Sequence, residues 1–103
     1  MITEAPYAKD QSEENGTTTE QYKAGLRLVQ LAVDGDSRAT IREIEQTKGT
    51  QFRPWIRISM PGFTCRAIVE NTGSEILIHV ILPKDSHTYD VVEDLWKKHR
   101  SAI

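Results

Sequence analysis

The alternation of apolar and polar side chains is clearest in the middle of the chain. In residues 55–60, every second side chain is apolar: Ile56, Ile58 and Met60. Residues 63–70 alternate in the same way, and residues 76–82 are apolar at every position except His79. A period of two residues is typical of a half-buried strand, and a run that is apolar on both faces is typical of a buried one. The pattern therefore predicts three strands, with residues 76–82 as the central and most buried strand.

Turn-forming residues separate these strands. Pro61 and Gly62 follow the first strand, and Asn71 and Gly73 follow the second. Proline presets the second position of a type II turn and glycine accepts the positive φ of the third. Tight turns join neighbouring antiparallel strands, so we expect a three-stranded antiparallel β-meander over residues 53–82.

Three further segments have the apolar spacing of amphipathic helices: residues 17–34, 37–48 and 88–101. The first begins with Thr17 and Glu20 at the spacing of a capping box. In the last segment the acidic residues precede the basic ones, which is the order that a helix dipole favours. The predicted fold is therefore α+β, with two N-terminal helices, the three-stranded antiparallel meander and a C-terminal helix.

The N-terminal residues 1–17 are polar and acidic, with few large apolar side chains. Such a segment buries too little surface to offset the entropy that is lost on ordering. We therefore expect a flexible N-terminal tail, followed by a single α+β domain over residues 18–103. The alternative is that residues 2–7 add an edge strand to the sheet.

The overall charge is close to neutral, with 13 Lys and Arg residues against 15 Asp and Glu residues. This balance gives no general case for nucleic-acid binding, although a local basic patch is compatible with it. The single cysteine excludes an internal disulfide, which favours a reducing compartment. The N-terminus lacks the apolar core of a signal peptide, and no apolar run approaches the ~20 residues of a membrane span. The composition predicts a cytoplasmic protein that does not bind a membrane.

The side chains with metal or nucleophilic chemistry are scattered. His79, His87 and His99 do not have the spacing of a zinc site, and Cys65 lies in the middle of a predicted strand. We expect His79 to be a hydrogen-bonded buried histidine and Cys65 to be a small buried side chain. No phosphate-binding glycine loop or nucleophile motif is present in the sequence. The prediction is no metal and no cofactor.

Cationic side chains lie on or just after the predicted strands: Arg53, Arg57, Arg66, Lys84 and His87. If Arg57 and Arg66 share a sheet face, they are suited to hold a phosphate by bidentate hydrogen bonds. That condition depends on the register of the strands, which the sequence leaves open. The alternative is that both are solvated residues paired with Glu70 or Glu75.

The second half of the chain resembles the RelE and HigB toxins of bacterial toxin–antitoxin pairs. The similar segments are residues 55–58 (WIRI), 62–70 (GFTCRAIVE) and 75–84 (EILIHVILPK), and a C-terminal helix that begins near Tyr89. The resemblance implies a metal-independent ribonuclease that cuts mRNA on the ribosome, with RNA, the ribosome and an antitoxin as partners. It implies that Arg57 and Arg66 hold phosphate and stabilise the transition state, and that Lys84, His87 or Tyr89 supplies acid–base help. Members of this family usually begin with a strand and are usually basic.

Two other functions stay open. Residues 35–49 resemble the centre of a KH domain, in which a Gly-x-x-Gly loop precedes a helix, with Arg38 in place of the second glycine. That resemblance implies a divergent RNA-binding domain. The third alternative is a small non-enzymatic protein-interaction or inhibitor protein from a phage or mobile element, which would bind through an exposed sheet face or the last helix.

Overall fold

A computed structural model describes residues 1–45, 51–84 and 88–99 of the chain. These residues form an α+β fold with three helices and five strands. In chain order the elements are β1 (Ile2–Glu4), α1 (Ala8–Glu14), α2 (Thr19–Val33), β2 (Thr40–Glu45), β3 (Gln51–Ser59), β4 (Cys65–Asn71), β5 (Ile76–Pro83) and α3 (Thr88–His99). None of the helices in this described part of the chain has the length and apolar character needed to span a bilayer.

All five strands form one mixed sheet in the order β1-β5-β4-β3-β2. Strand β1 is parallel to β5, and the other neighbouring pairs are antiparallel. The predicted three-stranded sheet is therefore wrong. Strands β3, β4 and β5 lie where the alternation placed them, but one further strand flanks them on each side. The central position belongs to β4, whereas β5 lies between β1 and β4.

The predicted helix over residues 37–48 is also wrong, because Thr40–Glu45 is the edge strand β2. It pairs antiparallel with β3, with Ile41 opposite Ile58. The spacing of Ile41 and Ile44 fits one face of a helix, which is why the pattern favoured that structure. β-Branched residues also favour strands, and pairing with β3 satisfies backbone groups that β3 would otherwise leave open. Helices α2 and α3 lie within the residues predicted for the first and last helices.

The N-terminal segment, expected to be a tail, contains β1 and α1 and covers one edge of the sheet. Beyond the end of β1, side chains from this segment pair with the backbone of Ile81 in β5. Ser12 Oγ accepts a hydrogen bond from the Ile81 amide at 2.9 Å, and Thr17 Oγ1 donates one to the Ile81 carbonyl at 2.6 Å. Both side chains are buried. The composition did not predict this docking, because small polar side chains that bond to the strand edge contribute to it. A composition-based prediction relies on large apolar side chains.

Helices cover both faces of the sheet, so the protein has two cores. The side with α2, called the α2 face, buries these residues: Tyr22, Leu28, Val29, Ile58, Met60, Cys65, Ala67, Val69, Ile78 and Ile81. The side with α3, called the α3 face, buries another set: Ile44, Phe52, Trp55, Ile68, Val80, Leu82, Val92 and Leu95. Burial on both faces explains why residues 76–82 are almost continuously apolar.

Replacing Ile78 with alanine should lower the free energy of unfolding by about 2–5 kcal/mol, since its side chain is fully buried and a cavity would remain. The matched control is Ile41→Ala on β2, where the isoleucine is 54% exposed and less contact is lost. Urea unfolding of both variants measures the difference. Equal losses for the two isoleucines would contradict the assignment of Ile78 to the core.

Replacing Gly25 with alanine should destabilise the protein, although alanine favours a helix by about 1 kcal/mol. A Cβ atom at Gly25 would lie 2.5 Å from Ile81 Cγ2, so α2 packs closely on β5 at this point. Overpacking of a core costs about 1–3 kcal/mol, which exceeds the gain in helix propensity. Thermal unfolding measures the loss, and a double-mutant cycle with Ile81→Val should recover part of it. A more stable Gly25→Ala protein would contradict this close approach.

Candidate nucleic-acid interface

The strand register places Arg57 and Arg66 on the same face of the sheet. Arg57 in β3 pairs with Ile68 in β4, and Arg66 comes two residues before Ile68 on the same strand. Paired residues lie on one side of a sheet, and so do residues two apart on a strand. The condition that the sequence left open is therefore met, and both arginines lie on the α3 face.

Sequence reasoning missed a third arginine on this face. Arg42 in β2 pairs directly with Arg57. The sequence pattern did not indicate Arg42, because it predicts a helix over residues 37–48. In a helix, Arg42 would have no pairing register with β3. We call Arg42, Arg57 and Arg66 the arginine face. Arg57 and Arg66 are half-buried and Arg42 is exposed.

The three arginines lie at one end of the sheet, beside the core on the α3 face. Each is two residues away on its strand from a buried apolar residue of that core: Ile44 for Arg42, Trp55 for Arg57 and Ile68 for Arg66. Because β3 is antiparallel to both β2 and β4, these offsets point in the same direction across the sheet. The arginines therefore border the core on the α3 face, where the buried Ile68 and Leu82 pair with Arg57 and Arg66.

None of the three guanidinium groups forms a hydrogen bond or an ion pair with a residue that the structure describes. The two expected partners are engaged elsewhere. Glu70 Oε1 lies 2.9 Å from His79 Nε2, and Glu75 Oε2 accepts a hydrogen bond from Thr3 at 2.7 Å. Like charges directly across a strand pair are unfavourable, and guanidinium groups bind phosphate oxygens in pairs of hydrogen bonds. The arginine face thus has the chemistry of an anion-binding surface.

Of the other predicted site residues, Lys84 has a described side chain, and it does not join this surface. Lys84 follows β5, and its Nζ donates to the Met60 carbonyl at 3.1 Å. It lines a groove of about 330 Å³ with Gln21, Phe63 and Thr64, on the side of α2. His87 lies outside the described residues, as do the side chains of Tyr89 and Arg53.

A second polar cluster, with His79 at its centre, lies elsewhere on the α3 face. Tyr7 Oη lies 2.5 Å from His79 Nδ1, and His79 Nε2 lies 2.9 Å from Glu70 Oε1. The His79 ring stacks on Trp55 with centroids 3.7 Å apart, and the Tyr7 ring stacks on His99 at 3.6 Å. We call Tyr7, Trp55, Glu70, His79 and His99 the Tyr7 cluster. It connects the N-terminal segment, the sheet and the end of α3.

A β-bulge positions His79. Ile68 pairs with Val80 and its neighbour Val69 pairs with Ile78, so His79 has no partner on β4. An extra residue in one strand redirects the side chains around it. The sequence signal for this site was the single polar residue within the apolar run of residues 76–82. Tyr7 gave no signal, because its segment was expected to be a tail.

The hydrogen bonds define the protonation of the Tyr7 cluster. A carboxylate only accepts, so His79 Nε2 carries the proton that it donates to Glu70, and neutral His79 accepts the Tyr7 hydroxyl proton at Nδ1. Burial lowers the pKa of His79, and nearby His99 lowers it further, while the hydrogen bond to Glu70 opposes them. Burial, with the charge of Glu70, raises the pKa of Tyr7 to about 12. The His79 side chain is only 5% exposed, which closes it to a ligand, so the cluster holds segments together.

The remaining candidates from the sequence are the thiol of Cys65 and the side chains that could bind a metal ion. Cys65 is fully buried, as the sequence predicted, and burial raises the pKa of its thiol. Within residues 1–45, 51–84 and 88–99, no three His, Cys, Asp or Glu side chains are grouped so that they could hold a metal ion. Comparisons with protein-family models, curated proteins and solved structures find no match to this chain. Among the described residues, the arginine face is therefore the candidate functional site.

The free energy of unfolding should fall as the pH is lowered below about 6.5, the ordinary pKa of histidine. The pKa of His79 is lowered in the folded state, so the unfolded chain takes up the proton first. The stability that neutral His79 contributes is complete above pH 6.5 and is lost as the pH falls towards its folded-state pKa. His79→Gln should weaken this dependence, measured by urea unfolding at several pH values. NMR titration of His79 with a pKa above 6.5 would contradict the argument. His99→Gln separates the contribution of His99, whose pKa is also lowered by burial.

Proposed function

We propose that this chain binds RNA and that the arginine face holds the RNA phosphates. The observation that carries the proposal is the placement of three arginines, with no described partner, on one face at one end of the sheet. Arginine is the side chain best suited to bidentate recognition of phosphate. A local patch of this kind binds a polyanion even though the whole chain carries a formal net charge of −2.

The specific activity that we propose is that of a RelE-like, metal-independent mRNA endonuclease, or of a degenerate relative of one. Two observations support it beside the sequence resemblance. The RelE family usually begins with a strand, and β1 occupies that position here. Arg57 and Arg66, which the resemblance assigns to phosphate binding, share a face. On this proposal the two guanidinium groups neutralise the charge that develops on the phosphodiester as it is cleaved.

The acid–base part of this proposal is carried by His87 or Tyr89, because Lys84 lies on the side of α2. The proposed partners follow from the activity: mRNA, the ribosome and an antitoxin protein. The KH-like alternative loses support, since the helix that it requires falls on Thr40–Glu45, which is the strand β2. The protein-interaction alternative keeps one supporting observation, the exposed Ile41 on the edge strand β2.

Arg57→Ala and Arg66→Ala should each weaken the binding of an RNA oligonucleotide about tenfold at low salt. Each lost phosphate contact should also reduce the slope of log affinity against log salt by about 1. Fluorescence anisotropy across a salt series measures both quantities. The matched control is Arg27→Ala, which removes the same charge from an exposed position on α2. Similar effects at all three positions would show a general charge effect and would contradict a site on the arginine face.

The cleavage activity needs its own test, with wild type and Arg66→Ala expressed in bacteria beside a ribosome-dependent mRNA cleavage assay. Wild type should slow growth and cut mRNA. The variant should do neither, and its melting temperature should stay nearly unchanged, because a half-exposed charge with no described ion-pair partner contributes little to stability. Wild type that binds RNA without cutting it would limit the function to RNA binding. Wild type that does neither would leave the protein-interaction alternative.

A further inference from the structure

We propose that Arg42 binds a second phosphate, so that the arginine face takes a polynucleotide backbone and not a single phosphate group. The inference rests on the proposed function and deepens it by naming the class of ligand. Arg42 is the member of the arginine face to which neither the alternation of the sequence nor the RelE resemblance assigned a role.

The spacing of the three arginines is the first argument. Arg42 and Arg57 are direct cross-strand partners, which places their Cβ atoms roughly 5 Å apart. Arg66 lies diagonally from Arg57, at roughly 7–8 Å on the other side. From Arg42 to Arg66 the surface therefore crosses two strand spacings, which is roughly 10 Å before the offset along the strands is added. The three arginines form a bent row, which runs straight across from Arg42 to Arg57 and then shifts by two residues along β4 to Arg66.

The chemistry of the ligand is the second argument. A phosphodiester has two non-bridging oxygens, which match the fork of one bidentate guanidinium. Three arginines in a row therefore match successive phosphates better than they match one. Arg57 and Arg66 are half-buried beside the core, whereas Arg42 is exposed on the edge strand. We therefore assign one phosphate to the half-buried pair, Arg57 and Arg66, and the next phosphate to the exposed Arg42.

Electrostatics gives the third argument. Arg42 and Arg57 face each other with the same charge, and neither has a described partner that offsets the repulsion. Such a pair weakens a sheet when nothing is bound. A polyanion across the pair would turn that repulsion into two favourable contacts. Arg42 is therefore placed where it serves binding and not stability.

The test compares uridine monophosphate with 2′-O-methyl hexauridylate, which lacks the 2′-hydroxyl group needed for cleavage of its own strand. Wild type should bind the hexanucleotide more tightly than the monophosphate. Arg42→Ala should reduce the salt slope for the hexanucleotide by about 1 and weaken binding of the monophosphate much less than binding of the hexanucleotide. Arg42→Lys should keep most of the slope but lose affinity, since lysine keeps the charge and lacks the fork. The melting temperature of Arg42→Ala should not fall.

Three results would overturn the proposal. If Arg57→Ala weakens binding while Arg42→Ala and the Arg27→Ala control both match wild type, Arg42 is not a phosphate ligand, and the proposed RNA binding still stands. If Arg42→Ala weakens the monophosphate and the hexanucleotide equally, all three arginines serve one phosphate. Failure of wild type to bind the hexanucleotide would remove the proposed function itself, and this inference with it.

Discussion

The register of β3 against its two neighbours is the constraint on which the rest of the structure depends. Pairing of Arg57 with Arg42 on one side and with Ile68 on the other decides which side chains each face carries. A slip of one residue would move every side chain of β3 to the opposite face. Trp55 would then leave the core under α3, and Ile58 would leave the core under α2. Two buried faces therefore specify the register more strongly than one would.

The same register gives the α3 face two unlike kinds of surface. A closely packed apolar core lies under α3, and the three arginines border it on β2, β3 and the start of β4. A sheet optimised for stability alone would not place Arg42 opposite Arg57 with no partner for either charge among the described residues. Residues whose placement lowers the stability of the fold are expected at surfaces that bind a ligand. The contrast between the apolar core and the arginines beside it, more than the overall charge of the chain, indicates that the arginine face is the site.

Elsewhere on the α3 face, the Tyr7 cluster joins segments that are far apart in the sequence. Tyr7 follows β1, His79 lies in β5 and His99 ends α3. The Tyr7 ring stacks on His99, and its hydroxyl forms a hydrogen bond with His79. The bulge at His79 contributes to this arrangement, because His79 has no pairing partner on β4 and the bulge redirects its side chain. Docking of the N-terminal segment thus combines these contacts with the two side-chain hydrogen bonds to Ile81.

The amino-acid pattern was enough to predict the strands β3, β4 and β5, the helices α2 and α3, and the positions of Arg57 and Arg66 on neighbouring strands. These features follow from periods of two and 3.6 residues, which are local properties of the chain. Pairing in the folded protein is what makes residues 40–45 a strand, joins residues 2–4 to β5, and places Arg42 opposite Arg57. Strand pairing and register depend on backbone partners that are far away in the sequence. The polarity pattern of a short mixed segment therefore does not predict them.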